Sequence, residues 1–298
     1  MYPIIQLPDD AFDQPEQLGT KYKFWYHDKS GRFCLFKEGR PNTGENWAEK
    51  VCCELCELLG IPHAHYEFAM WKNCKGVVSP SFVPKDGRLI HGNELLAKVV
   101  HYYDHEKRYR ARQHTVAVVV GLMRVSGIGM PAGFVPADVL KTAACVFVGY
   151  LMLDALVSNQ DRHDLNWGWI LADDGELTLA PTFDHASSLG RNESDAERVV
   201  RLETKDSGRS VAAYVARARS AFYSNPSSNK PLTTLEAFQE AAKLFPDAKR
   251  YWLQKLEATS LADYERIFNN VPPTEISIPA KEFALRMLEI NRHRLLQS

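Results

Sequence analysis

The run from Ala143 to Val157 constrains this chain more than any other stretch: Ala-Ala-Cys-Val-Phe-Val-Gly-Tyr-Leu-Met-Leu-Asp-Ala-Leu-Val. It is apolar at nearly every position, so it has no polar face to turn to water, and such a helix belongs inside a larger helical body. Interrupted by Asp154, its 15 residues fall short of the roughly 20 that a bilayer span needs. A buried helix from about Ala137 to Val157 is therefore predicted, and no membrane association is expected. The chain has 298 residues, enough for one large domain or two lobes with a substantial core. With 36 Lys+Arg against 37 Asp+Glu it lacks the basic excess of a protein that holds a nucleic-acid backbone, so no direct nucleic-acid binding is expected.

Compartment follows from similar reasoning. Met1 to Asp13 contains Pro3, Pro8 and acidic residues and has no basic segment followed by an apolar one, so no classical export signal is read there. Six cysteines in a chain of this size then imply reduced thiols and a cytoplasmic protein, with secretion as an effector open only to a route without a classical signal.

Two β-like runs, Tyr22–His27 and Arg32–Lys37, flank the turn Asp28-Lys29-Ser30-Gly31. A helix follows. Asn42 and Glu45 have the spacing of a capping box, Trp47, Val51, Leu55 and Leu58/Leu59 recur at helical period, and Gly60 and Pro62 stop the run. Further strands are expected at His65–Trp71 and Gly76–Val83, before a turn at Pro84-Lys85-Asp86-Gly87. Together these describe a small sheet with one packed helix, ending near residue 85. After the long apolar helix come a polar loop, Ser158–Asn166, and a second hairpin, Trp167–Leu171 and Glu176–Ala180. A charged stretch from about residue 185 to Ser210 is expected to be mobile and outside the core. Helical period returns at Leu235–Leu244, Arg250–Leu256, Leu261–Phe268 and Pro279–Leu296.

The chemistry concentrates after the buried helix, in Ser158-Asn159-Gln160-Asp161-Arg162-His163-Asp164-Leu165-Asn166, and then in Pro181-Thr182-Phe183-Asp184-His185. In the kinase template of phosphoryl transfer an Asp orients or deprotonates the acceptor hydroxyl, an Asn five residues on holds one magnesium, and an Asp beyond the next strands holds another. Asp161, Asn166 and Asp184 have that spacing. The same chemistry calls for an upstream strand lysine paired with a helix glutamate. Lys37 ends the apolar run Phe33-Cys34-Leu35-Phe36, and Glu49 lies in the following helix, with Glu45 and Glu38 as rival partners. Singly, each residue has an ordinary role: Asp and Asn cap loops, and a lone lysine ends a strand in water. The argument rests on the set.

The Asp-Arg-His-x-x-Asn and Phe-Asp-His segments, with Phe-Lys-Glu-Gly-Arg-Pro and the helix carrying Trp47-Ala48-Glu49-Lys50, resemble the HipA-like serine/threonine kinases. The compact HipT- and CtkA-like members are the nearer likeness. Asp-Arg-His-x-x-Asn is also the form of the phosphoinositide-kinase catalytic loop. The resemblance spans Lys21–Phe82 and Ala143–Gly190 and implies an α+β, bilobal protein-kinase-like fold. Its small β-rich N-lobe would take residues 1–85, and its larger helical C-lobe residues 86–298. It further implies ATP and Mg2+, transfer to a Ser or Thr of a protein, and an antitoxin-type protein partner if the chain is a toxin. By position Lys37 becomes the nucleotide lysine, oriented by Glu49. Asp161 becomes the catalytic acid/base residue with His163 as a secondary candidate, and Asn166 and Asp184 become the metal ligands. Adenine is expected near the backbone of Ser81, Phe82 and Val83. A lipid or small-molecule kinase, or a pseudokinase that binds a protein partner, are the competing readings. The small lobe has no G-x-G-x-x-G loop, which leaves the Lys29-Ser30-Gly31 turn or Gly39–Gly44 to cover the phosphates.

Other signals are weaker. Cys53-x-x-Cys56 with His63 and His65 is half of a zinc pattern on a helix, where core thiols are the better reading. Gly127-x-Gly129-x-x-Ala132 is interrupted by Pro131 and reads as a loop. His101, Asp104 and His105 fit an exposed helix better than a metal site, and no G-x-S-x-G or H-E-x-x-H motif supports a hydrolase.

Overall fold

The computed structural model describes residues 1–16, 21–104, 111–125 and 127–298. In chain order the N-terminal part runs β1 (Ile4–Gln6), β2 (Gln14–Pro15), β3 (Lys23–His27), β4 (Phe33–Glu38), α1 (Glu45–Leu59), β5 (Glu67–Trp71) and β6 (Cys74–Pro80). These six strands form one sheet in the order β1-β5-β6-β4-β3-β2. Only β1 lies parallel to its neighbour.

Alternation along β3 and β4 divides the sheet's faces. Phe24, Tyr26, Cys34 and Phe36 point into a small core with Ala69 and Val78, and Lys23, Trp25, Leu35 and Lys37 take the opposite face. The Asp28–Gly31 turn is held by the Asp28 carboxylate, which accepts from Ser30 N and Arg32 N. That turn closes the end of the hairpin remote from the Lys23–Lys37 pair.

The helix α1 begins later than the capping-box pattern suggests. Its N-cap is Gly44, and Asn42 lies before it with φ 60°. The Glu45 carboxylate instead reaches back to Arg40 N and to the guanidinium of Arg40. Gly60 ends the helix in the left-handed region, as expected.

Beyond residue 85 follow β7 (Arg88–His91), α2 (Gly92–Val99), α3 (Val116–Leu122), β8 (Ile128–Gly129), α4 (Ala143–Val157), β9 (Gly168–Leu171), β10 (Leu177–Leu179), α5 (Asp195–Glu203), α6 (Val211–Ala216), α7 (Thr234–Leu244), α8 (Pro246–Glu257), α9 (Leu261–Asn269) and α10 (Ile278–Leu296). A second sheet, in the order β7-β9-β10-β8, lies under the first.

All 15 residues of α4 are buried, against α7, α8 and α10. It starts after Thr142 rather than at Ala137, because the backbone of Thr142 is extended. Gly149 sits mid-helix where a Cβ would come within 2.5 Å of the Trp252 ring, whose Nε1 donates to the Cys145 carbonyl (2.8 Å). That close approach accounts for a glycine that otherwise weakens a helix.

The charged stretch from 185 to 210 differs from expectation. Ser194 caps α5, the buried Arg198 donates to Asp195 and to the Gly190 carbonyl within the segment, and Leu202 packs with Val211, Val215, Phe283 and Met287, which seats the segment on α10. Cys53 and Cys56 lie buried on α1. His101 lies in a turn beyond α2, not on a helix, and His105 falls outside the described residues. Among the described residues no helix is long and apolar enough to cross a membrane.

Candidate active site

The α4 helix ends at Ser158, whose left-handed backbone (φ 53°) turns the chain into the loop carrying Asp161 and Asn166. Asn291 of α10 ties this corner down, its Nδ2 donating to the Leu156 carbonyl and to Ser158 Oγ. Within the loop the buried Arg162 is the brace. Its Nε and Nη2 donate to the two oxygens of Asp154, at 2.8 and 2.7 Å, and Nη1 donates to the Asn166 carbonyl at 2.9 Å. Asp154, the one acidic break in the apolar run, is thus the anchor of the loop.

Asn166 Nδ2 donates to the Asp161 carbonyl (2.8 Å), which turns its Oδ1 the other way. Asp161 Oδ2 accepts from Ser187 Oγ (3.2 Å), and Arg191 Nη2 donates to that same hydroxyl (3.0 Å). His163 Nδ1 accepts from Leu165 N (3.1 Å), so its ring proton belongs on Nε2, which faces Asp161 Oδ1 at 3.4 Å.

From the small sheet, Lys37 Nζ meets Glu49 Oε2 at 3.0 Å and Asp184 Oδ1 at 2.7 Å. Burial alone would lower the Lys37 ammonium, but the Asp184 and Glu49 carboxylates outweigh it and hold it well above the lysine range. Burial would likewise raise Asp184, and Lys37 and Lys21 instead hold its carboxyl far below the usual range. Burial pushes Glu49 up against the pull of Lys37, and the Glu49 anion takes a second donor, the His185 backbone N–H. Of the rival glutamates, Glu45 is occupied by Lys21, Arg40 and Arg191, and Glu38 falls on the opposite face of β4 from Lys37.

Asp184 stands at φ 59°, a region open to Asp at small cost, and this aims its carboxylate back at Lys37. Asp184 and Asn166 present hard oxygen donors of the kind Mg2+ takes, and the depressed Asp184 carboxyl keeps one of them anionic. The donor set therefore fits that ion.

Ser81, Phe82 and Val83 follow β6. Ser81 N donates to the Phe33 carbonyl and its hydroxyl to Val83 O, while Phe82 and Val83 pack on the cluster that holds Val77, Ile170 and Phe183. Residues not singled out from the sequence also converge here: Lys21 and Lys23 beside Lys37, and Ser187 and Arg191 beside Asp161. Arg191 and Ser187 sit in the run dismissed as too charged for a core, so only their nearness to Asp184 in sequence hinted at them.

Two buried histidines support the site as neutral rings. His185 Nε2 faces the Thr182 hydroxyl (2.8 Å) and Arg162 Nη2 (3.2 Å). Burial and then Arg162 push it well below the ordinary histidine value. His114 Nε2 accepts from Trp167 Nε1 (3.0 Å), and burial lowers it to about 4. Unfolding frees both rings to take protons that the native state refuses. Stability is therefore full above the unfolded value near pH 6.5 and falls as pH drops, by up to about 1.4 kcal/mol per pH unit for each ring. Urea midpoints should decline steadily from pH 7 to 5, and His114→Gln should flatten part of that decline; equal midpoints across the range would contradict this account.

A strand lysine bridged to a helix glutamate and a metal-type aspartate, set over a loop with Asp161 and Asn166 beneath a small sheet, defines a bilobal protein-kinase-like fold. The HipA-like C-terminal domain family matches residues 16–250, most of the chain. This protein belongs to that family. Among solved structures it resembles the proinflammatory kinase CtkA of Helicobacter pylori, with TM-score 0.72 and 18% identity over 99% of each chain. It also resembles HipA of Shewanella oneidensis MR-1, solved as a toxin–antitoxin complex with HipB and operator DNA. There the TM-score is 0.55 and the identity 12%, over 98% of this chain and 67% of that one. At these identities the likenesses establish the fold. No curated protein matches the sequence.

Proposed function

We propose that this protein is an ATP- and Mg2+-dependent kinase that transfers the γ-phosphoryl group to a Ser or Thr hydroxyl of a protein. The observation that carries the reading is a linked set: Lys37 Nζ bridges Glu49 and Asp184, Asn166 Nδ2 donates to the Asp161 carbonyl, and Arg162 joins the two groups by reaching both the Asn166 carbonyl and the ring of His185, whose backbone N–H donates to Glu49. Lys37, oriented by Glu49, neutralises the α- and β-phosphates. Asn166 and Asp184 hold Mg2+, which when bound offsets charge on the β- and γ-phosphates. Asp161 orients the acceptor hydroxyl and takes its proton, and His163, whose Nε2 faces Asp161 Oδ1 at 3.4 Å, is the secondary catalytic group. Adenine lies by Ser81, Phe82 and Val83. The lobes divide near residue 85, with the phosphate-binding face in 1–85 and the catalytic loop and metal ligands in 86–298.

The acceptor enters by a cleft of about 210 Å3 that Asp161 lines together with Gln160, Ser187, Arg191 and Tyr214. Because a structural relative was solved with an antitoxin, an antitoxin-type protein is a candidate regulator here, for a toxin or effector acting in a cytoplasm.

The test is transfer from γ-labelled ATP into a host lysate, with mass spectrometry of the labelled residue. Label on protein Ser or Thr supports the reading, label in lipid supports a lipid kinase, and binding without transfer marks a pseudokinase. Asp184→Asn should remove the Mg2+-dependent part of ATP binding along with transfer. A titration in which Mg2+ strengthens ATP binding equally in wild type and variant would refute the metal role.

A further inference from the structure

The hairpin that delivers Lys37 delivers two more ammonium groups to the same face. Lys23 stands directly opposite Lys37 in the antiparallel register, and directly opposite residues share a face. Lys21, two positions earlier, shares it too, and its Nζ meets Glu45 at 3.0 Å. The other face of the hairpin is already taken by the small apolar core.

Lys37 and Lys21 are therefore each matched by carboxylates. The Lys23 ammonium makes no ion pair or hydrogen bond among the described residues, and only the backbone of Lys23 is bonded, its carbonyl accepting from Glu16 N. The acidic groups that act on it are Asp184, which meets Lys37 Nζ at 2.7 Å, and Glu16, which accepts from Trp25 Nε1 at 2.9 Å. Like charges directly opposite on a sheet are unfavourable, and burial followed by the Lys37 charge lowers the Lys23 ammonium below its ordinary value. A partly buried, unmatched ammonium held against another one suits a site where an anion arrives. The sequence supplies a reason for such an anion. It has no G-x-G-x-x-G segment, so the row of backbone N–H donors that usually cradles nucleotide phosphates is not written into the small lobe.

We propose that Lys23 is a second nucleotide lysine, whose ammonium binds the phosphate chain of a nucleoside triphosphate opposite Lys37 and replaces donors that a glycine-rich loop would provide. This rests on the kinase reading of the cleft, and it specifies how that cleft holds the polyphosphate.

Calorimetric titration of the full chain with Mg–ATP and with adenosine tests it, using wild type, Lys23→Met and Lys23→Arg, with Lys23→Gln as a second neutral variant should the first not fold. A lost charge-assisted contact is worth about a tenfold weakening. Mg–ATP affinity should therefore fall about tenfold in the neutral variants, return towards wild type with Lys23→Arg, and leave adenosine affinity unchanged. Unchanged Mg–ATP affinity in the neutral variants, or adenosine weakening in parallel with ATP, overturns the role of Lys23. The kinase reading fails separately, if wild type itself neither binds Mg–ATP nor transfers phosphate; wild type that does both while Lys23→Met matches it sinks only the second lysine.

Discussion

Asp161→Asn should slow phosphoryl transfer by about 10²–10⁴-fold, the usual worth of a positioned acid/base group, while Mg–ATP affinity stays near wild type. The substitution is nearly isosteric. The Asp161 carbonyl still accepts from Asn166 Nδ2, and the Ser187 hydroxyl still finds an oxygen at the amide, so the loop and Asn166 keep their places. What disappears is the anion that accepts the acceptor's proton. Single-turnover transfer from γ-labelled ATP, beside a binding isotherm for Mg–ATP, separates the two effects. A variant that keeps more than a small fraction of the wild-type rate removes Asp161 from the role assigned to it.

The largest stability effect is expected at Asp154, in the last turn of α4, which anchors the same loop. Asp154→Leu leaves the guanidinium of Arg162 buried without its counter-ion, at a cost of about 3–5 kcal/mol. The double variant Asp154→Leu/Arg162→Met removes both charges and should recover much of that loss. It should not recover activity, because Arg162 Nη1 also fixes the Asn166 carbonyl and so the side chain proposed to ligate Mg2+. Urea midpoints and transfer rates of the three proteins check this together. Recovery of both stability and rate in the double variant would show that the ion pair does nothing for the site.

Much of this was legible in the chain itself, because it depends on local period and spacing. Strands β3 and β4, helices α1, α4 and α7 to α10, and the second hairpin follow from apolar period and turn chemistry, with ends shifted by a few residues. The short elements β1, β8, α2, α3 and α6 were not legible: two or three strand residues, or two helical turns, carry no period of their own. The run from 185 to 210 misled because charge normally marks solvent, whereas here Arg198 and Arg191 are paired beneath the surface.

Local spacing also named the chemical set. Asp161, Asn166 and Asp184 are tied to one another by a loop and a hairpin, so their types and intervals alone pointed to phosphoryl transfer. The partner of Lys37 was a different matter. Glu38, Glu45 and Glu49 are equivalent in sequence, and only the packing of α1 under the sheet turns Glu49 to Lys37 and Glu45 to Lys21, Arg40 and Arg191. The same holds for Lys23, which matters only because strand register sets it opposite Lys37. The sequence by itself determined the candidate set Asp161, Asn166 and Asp184, since those residues lie close along the chain. Tertiary structure alone decided which charges meet, since those contacts join residues as far apart as Lys37 and Asp184, and distance in sequence says nothing about which pairs burial will bring together.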